Sequence, residues 1–232
     1  MPSTDSSIRT IFCGLALGAL AACSFSAPTL QETRELELTV APDTRLVLDV
    51  GAGSLSVEGE AGLDEIIVVA EVWQVAANDD YTLTLEAGTD GEARLVAEAG
   101  SSIVGNSDRI DLTIRVPSTL SLYVSDGSGS IRIERVAGDV KIDDGSGSIH
   151  LASIGGDIVI DDGSGSIVVE DAGGDVNIED GSGSITVSDA GGVVRISDGS
   201  GSITVNGAED FELLEDDSGS VSTKGIRSGA SG

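Results

Sequence analysis

The sequence predicts an all-β protein: a single-chain parallel β-solenoid, or β-helix, of 18-residue coils with two short strands per coil and an irregular N-terminal β cap. Three observations lead there. Asp-Gly-Ser-Gly-Ser-Ile begins at Asp126, Asp144, Asp162, Asp180 and Asp198, and a degraded copy, Asp216-Asp217-Ser218-Gly219-Ser220-Val221, follows at the same interval of 18 residues. Each interval holds two half-units, so that Ile131 and Ile133 recur as Val140 and Ile142, as Ile149 and Leu151, and onward to Ile203 and Val205. The rest of each coil is Gly, Ser, Asp and Ala, the residues of tight turns.

The first 22 residues read as a secretory leader, with Arg9 ahead of an apolar run from Ile11 to Leu20. That run is too short for a spanning helix, which needs about 20 apolar residues. Leu20-Ala21-Ala22-Cys23 resembles the bacterial lipobox, and the resemblance implies that Cys23 becomes the first mature residue and carries the lipid. The other cysteine, Cys13, lies in the leader, so acylation also accounts for a thiol that would otherwise be exported unpaired. Ser24 after the cysteine points to the outer membrane, in a periplasmic or surface-facing position.

Residues 23–33 are expected to be a linker and 34–125 an irregular β part continuous with the solenoid, made of wider, less regular coils. Strands are predicted at 34–40, 45–50, 65–75, 81–87, 92–97 and 109–116, where apolar and polar residues alternate. Gly53-Ser54-Leu55-Ser56-Val57 already has the pattern of a later rung. Regular repeats then occupy 126–221. A strand this short cannot bury its face alone, so equivalent residues stack about 4.8 Å apart in parallel ladders. One core column is Ile131, Ile149, Ile167, Ile185, Ile203 and Val221; another is Ile142, Ile160, Ile178, Ile196 and Leu214. The spacing fits a two-sided coil, or a three-sided one with a very short face near Val136 and Ile154. In the last coil Glu212 is expected at a core position, with Phe211 closing the core and 222–232 forming a flexible tail.

These rungs, together with Val50-Gly51-Ala52-Gly53-Ser54-Leu55-Ser56-Val57, Gly147-Ser148-Ile149-His150-Leu151 and Ile114-Arg115-Val116-Pro117, resemble the bacterial putative-adhesin family of β-strand-repeat domains. The resemblance covers about residues 45 to 222. It implies a solenoid exported to the cell envelope, with adhesion as the role its name suggests.

Composition narrows the function. With Asp+Glu 40 against Lys+Arg 12 the formal net charge is -28, and such a field repels nucleic acid. Aromatic residues are only 3%, against a sugar-stacking lectin surface. The candidate site is the column Asp126, Asp144, Asp162, Asp180, Asp198 and Asp216, expected along one edge of the stack. Adjacent carboxylates about 4.8 Å apart repel by roughly 0.9 kcal/mol per pair in water, which calcium would offset. Hydrogen bonds from each Asp's own Gly-Ser-Gly turn, at about 1 kcal/mol each, offset most of it without a metal. Calcium-binding nonapeptide repeats carry an Asp where Ile149 and its equivalents stand here, so turn capping is the favoured reading and calcium the one cofactor considered.

A polysaccharide-active solenoid would need clustered acids with a base, yet His150 stands alone, Lys141 and Arg195 form no periodic cluster, and Thr186 with Thr204 only begin an ice-binding-type array. The expectation is therefore a monomeric, noncatalytic adhesin-like or scaffold protein, lipid-anchored in the envelope and binding an envelope protein or polymer; the alternative is a calcium-binding surface repeat.

Overall fold

The computed structural model describes residues 9–11, 27–78, 80–89, 91–100 and 108–228. Its N-terminal part consists of β1 (Arg9–Ile11), β2 (Thr29–Thr39), β3 (Arg45–Glu60), β4 (Glu65–Gln74), β5 (Tyr81–Ala87), β6 (Glu92–Ala99) and β7 (Arg109–Pro117). The alternation that predicted these strands is the burial pattern: every second residue of β4, from Ile66 to Gln74, is buried. β1, inside the expected leader, lies antiparallel beside β2. The expected linker is shorter than 23–33, because Thr29 and Leu30 already pair with Gln74 and Trp73.

β3 is the first coil. It bends through its glycines and pairs along almost its whole length with the following coil, Arg45 opposite Ser121 and Leu55 opposite Ile131. Its first arm also pairs with β6 and its second with β7, both parallel. The remainder of this part departs from the expected wide coils. β2 with β4, β4 with β7, and β5 with β6 are antiparallel. For β5 and β6 the short connection 88–91 permits only that, since a parallel pair needs a crossover of a dozen or more residues.

The regular solenoid follows as β8 (Ser121–Val136), β9 (Val140–Asp144), β10 (Gly147–Ile154), β11 (Ile158–Asp162), β12 (Gly165–Ala172), β13 (Val176–Asp180), β14 (Gly183–Ala190), β15 (Val193–Ala208) and β16 (Asp210–Ile226). Like stacks on like: Ile149 lies between Ile131 and Ile167, and Ile160 between Ile142 and Ile178. The inward Ile, Leu and Val of the inner coils are buried, each burial contributing roughly 1.5 to 3 kcal/mol before chain entropy.

Two backbone devices shape each coil. After the Asp corner the second glycine takes a positive φ, +146° at Gly147, and a Cβ there would lie 1.7 Å from the Gly129 carbonyl oxygen of the coil beneath. Only glycine allows coils to stack at that corner. At the other end of the second arm Arg135, Ser153, Asp171 and Asp189 adopt left-handed φ between 56° and 58°, an uncommon conformation for a side-chain-bearing residue. This kink turns the next residue inward and builds a third buried column, Val136, Ile154, Ala172, Ala190 and Ala208. The coil is thus three-sided, with a third side one residue wide.

The last coil corrects three expectations. A bulge shifts the register between Ile196 and Ser197, so Leu213 rather than Leu214 lies opposite Ile196. Phe211 pairs with Val194 and packs against the core, whereas Glu212 points outward and joins Arg195 at 2.9 Å. Residues 222–226 are strand rather than tail, because β15 offers them a ladder edge, Thr204 to Ser222 through Ala208 to Ile226. Among the described residues no helix is long and apolar enough to cross a membrane.

Candidate functional site

The Asp column does not lie along an exposed edge. Asp126, Asp144, Asp162, Asp180 and Asp198 are buried, at 2% to 7% exposure. Strand alternation is the cause: Ile142 points in, Asp143 out and Asp144 in again. In each inner coil one carboxylate oxygen accepts the backbone N–H of the Ser two residues on, at 3.2 Å for Asp144, 3.1 Å for Asp162 and Asp180, and 3.0 Å for Asp198. These are the capped turns that the sequence suggested. The other oxygen, Oδ2 in all five, is buried without a hydrogen-bond partner.

Burial disfavours the charged form, and its effect is visible along the column. It pushes Asp126 up to about 7, with the neighbouring Asp144 charge adding to the rise. Asp180 is pushed up to about 6 by burial, and the flanking carboxylates of Asp162 and Asp198 add to it. Asp144, Asp162 and Asp198 are raised for the same first reason. Asp216, the weak sixth candidate, stacks on Asp198 and also keeps one oxygen buried and unpartnered. Among the described residues no group of three or more His, Cys, Asp or Glu is arranged to hold a metal ion. What the column can do chemically is bind protons.

A second aspartate ladder was missed in the sequence, where its members looked like ordinary turn residues. The carboxylates of Asp139, Asp157 and Asp175 accept the backbone N–H of Asp157, Asp175 and Val193 respectively, each at 2.9 Å. Each one fastens its coil to the next. The bond from Val193 and the guanidinium of Arg195, at 3.1 Å, hold Asp175 below the usual carboxylate range.

The outer face of the first-arm sheet carries an open groove of about 820 Å³. Its floor is one lateral row of outward residues, Arg94, Val47, Tyr123, Lys141 and Val159, paired from β6 through β3, β8 and β9 to β11. The Lys141 amine sits 5.6 Å from the Tyr123 ring centre and makes no ion pair among the described residues. Arg45 and Arg94 also line the groove, held by Glu92 at 2.8 Å and Asp49 at 2.7 Å. Lys141 therefore shares a groove with Arg45 and Arg94, and with the carboxylates of Asp43, Glu92, Asp139 and Asp157, a grouping that periodicity could not show because both arginines come from the irregular half. Arg195 lies two strands further along the same sheet, beyond Asn177.

His150 stands on the outer face of the other sheet, against Arg132 and 3.2 Å from Glu170. Trp73 belongs to the cover, with the Arg109 guanidinium 4.7 Å from its ring centre. Cys23 lies outside the described residues.

Neither a family model nor a curated protein matches the chain. Solved structures align with most of the chain. A putative cell adhesion protein from Clostridium sporogenes aligns at 15% identity over 83% of this chain and 99% of that one, with a TM-score of 0.43. A putative adhesin from Bacteroides fragilis aligns at 13% identity over 84% and 97%, with a TM-score of 0.44. A putative adhesin from Parabacteroides distasonis aligns at 13% identity over 83% and 97%, with a TM-score of 0.30. Each of the three is described as a putative adhesin or a putative cell adhesion protein.

Proposed function

We propose that this is a noncatalytic, adhesin-like binding protein of the bacterial cell envelope, lipid-anchored through Cys23 and placed at the outer membrane, whose first-arm sheet holds a carboxylated envelope polysaccharide. The observation that carries the ligand class is the row Arg94, Val47, Tyr123, Lys141 and Val159. Five adjacent strands give it a length of about 19 Å, enough for an extended polymer segment. Arg45, Arg94 and Lys141 bring three of the twelve Lys+Arg residues to one groove of a chain with net charge -28. Of the four carboxylates that line the groove, Asp139 and Asp157 are engaged by the backbone of the next coil and Glu92 by Arg45, and Asp43 is the fourth. A charge-assisted hydrogen bond from Lys141, which makes no ion pair among the described residues, with the Tyr123 ring to lie against, suits a uronate-type sugar without a stacked aromatic array.

A noncatalytic role fits the placement of His150, the single histidine, on the opposite sheet from this groove. Anchoring rests on Leu20-Ala21-Ala22-Cys23, and mass spectrometry of the mature N-terminus tests it: a diacylglyceryl-modified Cys23 is expected, and a free thiol overturns the anchor. Binding is tested by co-sedimentation of the full chain with uronate-containing and neutral polysaccharides. Lys141→Ala and Tyr123→Ala are each expected to weaken uronate binding about fivefold, the size of effect that removing a single exposed charge or ring produces. Arg132→Ala, on the far sheet, should leave it unchanged. Equal retention of neutral polymers, or indifference to Lys141→Ala, overturns the reading.

A further inference from the structure

The two ends of the solenoid are finished differently. At the N-terminal end β6 and β7 pair with the arms of β3. At the other end β16 pairs with β15, and among the described residues no strand takes its outer edge. A 17-residue strand therefore presents unpaired backbone donors and acceptors, a ready template for another strand. Apolar side chains gather on the same coil: Leu213, Leu214 and Val221 are 42%, 59% and 39% exposed, beside partly buried Phe211 and Ile226. Charge is sorted between its arms. Asp210, Glu212, Glu215, Asp216 and Asp217 fall in the first arm, Lys224 in the second, with Arg227 just beyond.

We propose that this end docks onto the same end of a second copy, tail to tail. A two-fold axis in the plane of the coil, passing through the corner at Ser218 and bisecting the arms, exchanges first arm for second. The first arm runs into that corner and the second runs out of it, so arms brought together in this way are antiparallel and can extend the ladder without refolding. The same operation sets the acidic arm of each copy against the arm that holds Lys224 and leads to Arg227. It also covers Phe211, Leu213 and Val221 at the open ends of the core columns. This departs from the monomer expected from the sequence, and it is independent of the groove on the sheet face. The net charge of -28 on each copy opposes association over long range. Association should therefore tighten as salt rises from about 0.01 M to 0.15 M and the Debye length falls from about 30 to 8 Å.

The test uses the full chain in detergent. Ser218→Cys places a thiol beside the axis, where symmetric cysteines come within disulfide reach, and Ser182→Cys places one at the equivalent corner two coils inward. Mild oxidation should give a doubled-mass species from Ser218→Cys only. Sedimentation should show a dimer that Lys224→Glu weakens about tenfold and that Glu212→Lys, at the position the axis sets against residue 224, combined with Lys224→Glu restores. A monomer at all salt concentrations, equal cross-linking from both cysteines, cross-linking to a different protein, or a dimer indifferent to Lys224→Glu would each overturn the proposal.

Discussion

A buried carboxylate with one satisfied and one orphaned oxygen is a poor place for a negative charge, and this protein repeats it from Asp126 to Asp198. The consequence has a definite sign. Folding raises these groups above the ordinary Asp value, to about 7 for Asp126 and about 6 for Asp180. Their contribution to stability is therefore complete below pH about 4 and is lost as pH rises through 6 and 7. The melting temperature should fall between pH 5 and pH 8. Relief of general surface repulsion at low pH has the same direction, so the variants are what separate the two. Asp180→Asn keeps an acceptor for the Ser182 N–H and removes the ionisation, and should flatten the slope. Asp161→Asn, on the exposed face of the same sheet, should only shift it. Equal slopes in the two variants would remove the column from the explanation. The alternation Ile142, Asp143, Asp144 already held the inward direction of the column, but the turn motif drew attention to the corner instead of to the strand leading into it.

At the level of the element, stacking depends more on what is missing from a corner than on what fills the core. A methyl group at Gly165 would lie 1.6 Å from the Gly147 carbonyl oxygen, and the backbone cannot yield without parting two coils. Gly165→Ala should therefore cost several kcal/mol, in the range of severe backbone strain, whereas Gly62→Ala, with open space around it, should cost about 1 kcal/mol. Ile167→Ala, in the middle of its column, should cost about 2 to 5 kcal/mol. Chemical denaturation of the three variants checks the order. The columns themselves were legible because β-branched residues at period two leave one arrangement that buries them. The pairing of Leu213 with Ile196 was not, since a single-residue bulge cancels out of a count taken from corner to corner. The antiparallel cover was half legible. Its strands could be read from alternation, but their partners depend on chain connections that carry no repeat.

For the whole molecule, net charge and cation placement pull in different directions. A charge of -28 makes the folded chain sensitive to ionic strength, so added salt should raise the melting temperature by screening. Calcium and sodium salts at matched ionic strength should raise it equally, because each inner Asp turns one oxygen to its own Ser amide and the other into the buried core. A calcium-specific rise, lost in Asp162→Asn with Asp180→Asn, would contradict this. The groove shows why the proposed binding site was the least legible part. Its cations meet only when β6 and β3 are laid beside β8 and β9, so the site belongs to the tertiary arrangement and to no motif.

Equivalent residues lie in register from coil to coil, each coil fastened to its neighbours by the ladders and by the Asp139, Asp157 and Asp175 carboxylates. Excising residues 145–162 would join Asp144 to Gly163, which stands where Gly145 stood, and each remaining coil would still meet an equivalent neighbour. In genetic terms, loss or gain of an 18-residue coding unit yields shorter or longer proteins that keep both ends and their cover. Each such event moves the distal end by about 4.8 Å. The distance this protein spans from its first coil to its last is thus a trait that heredity can adjust in fixed steps, without the fold having to be discovered again.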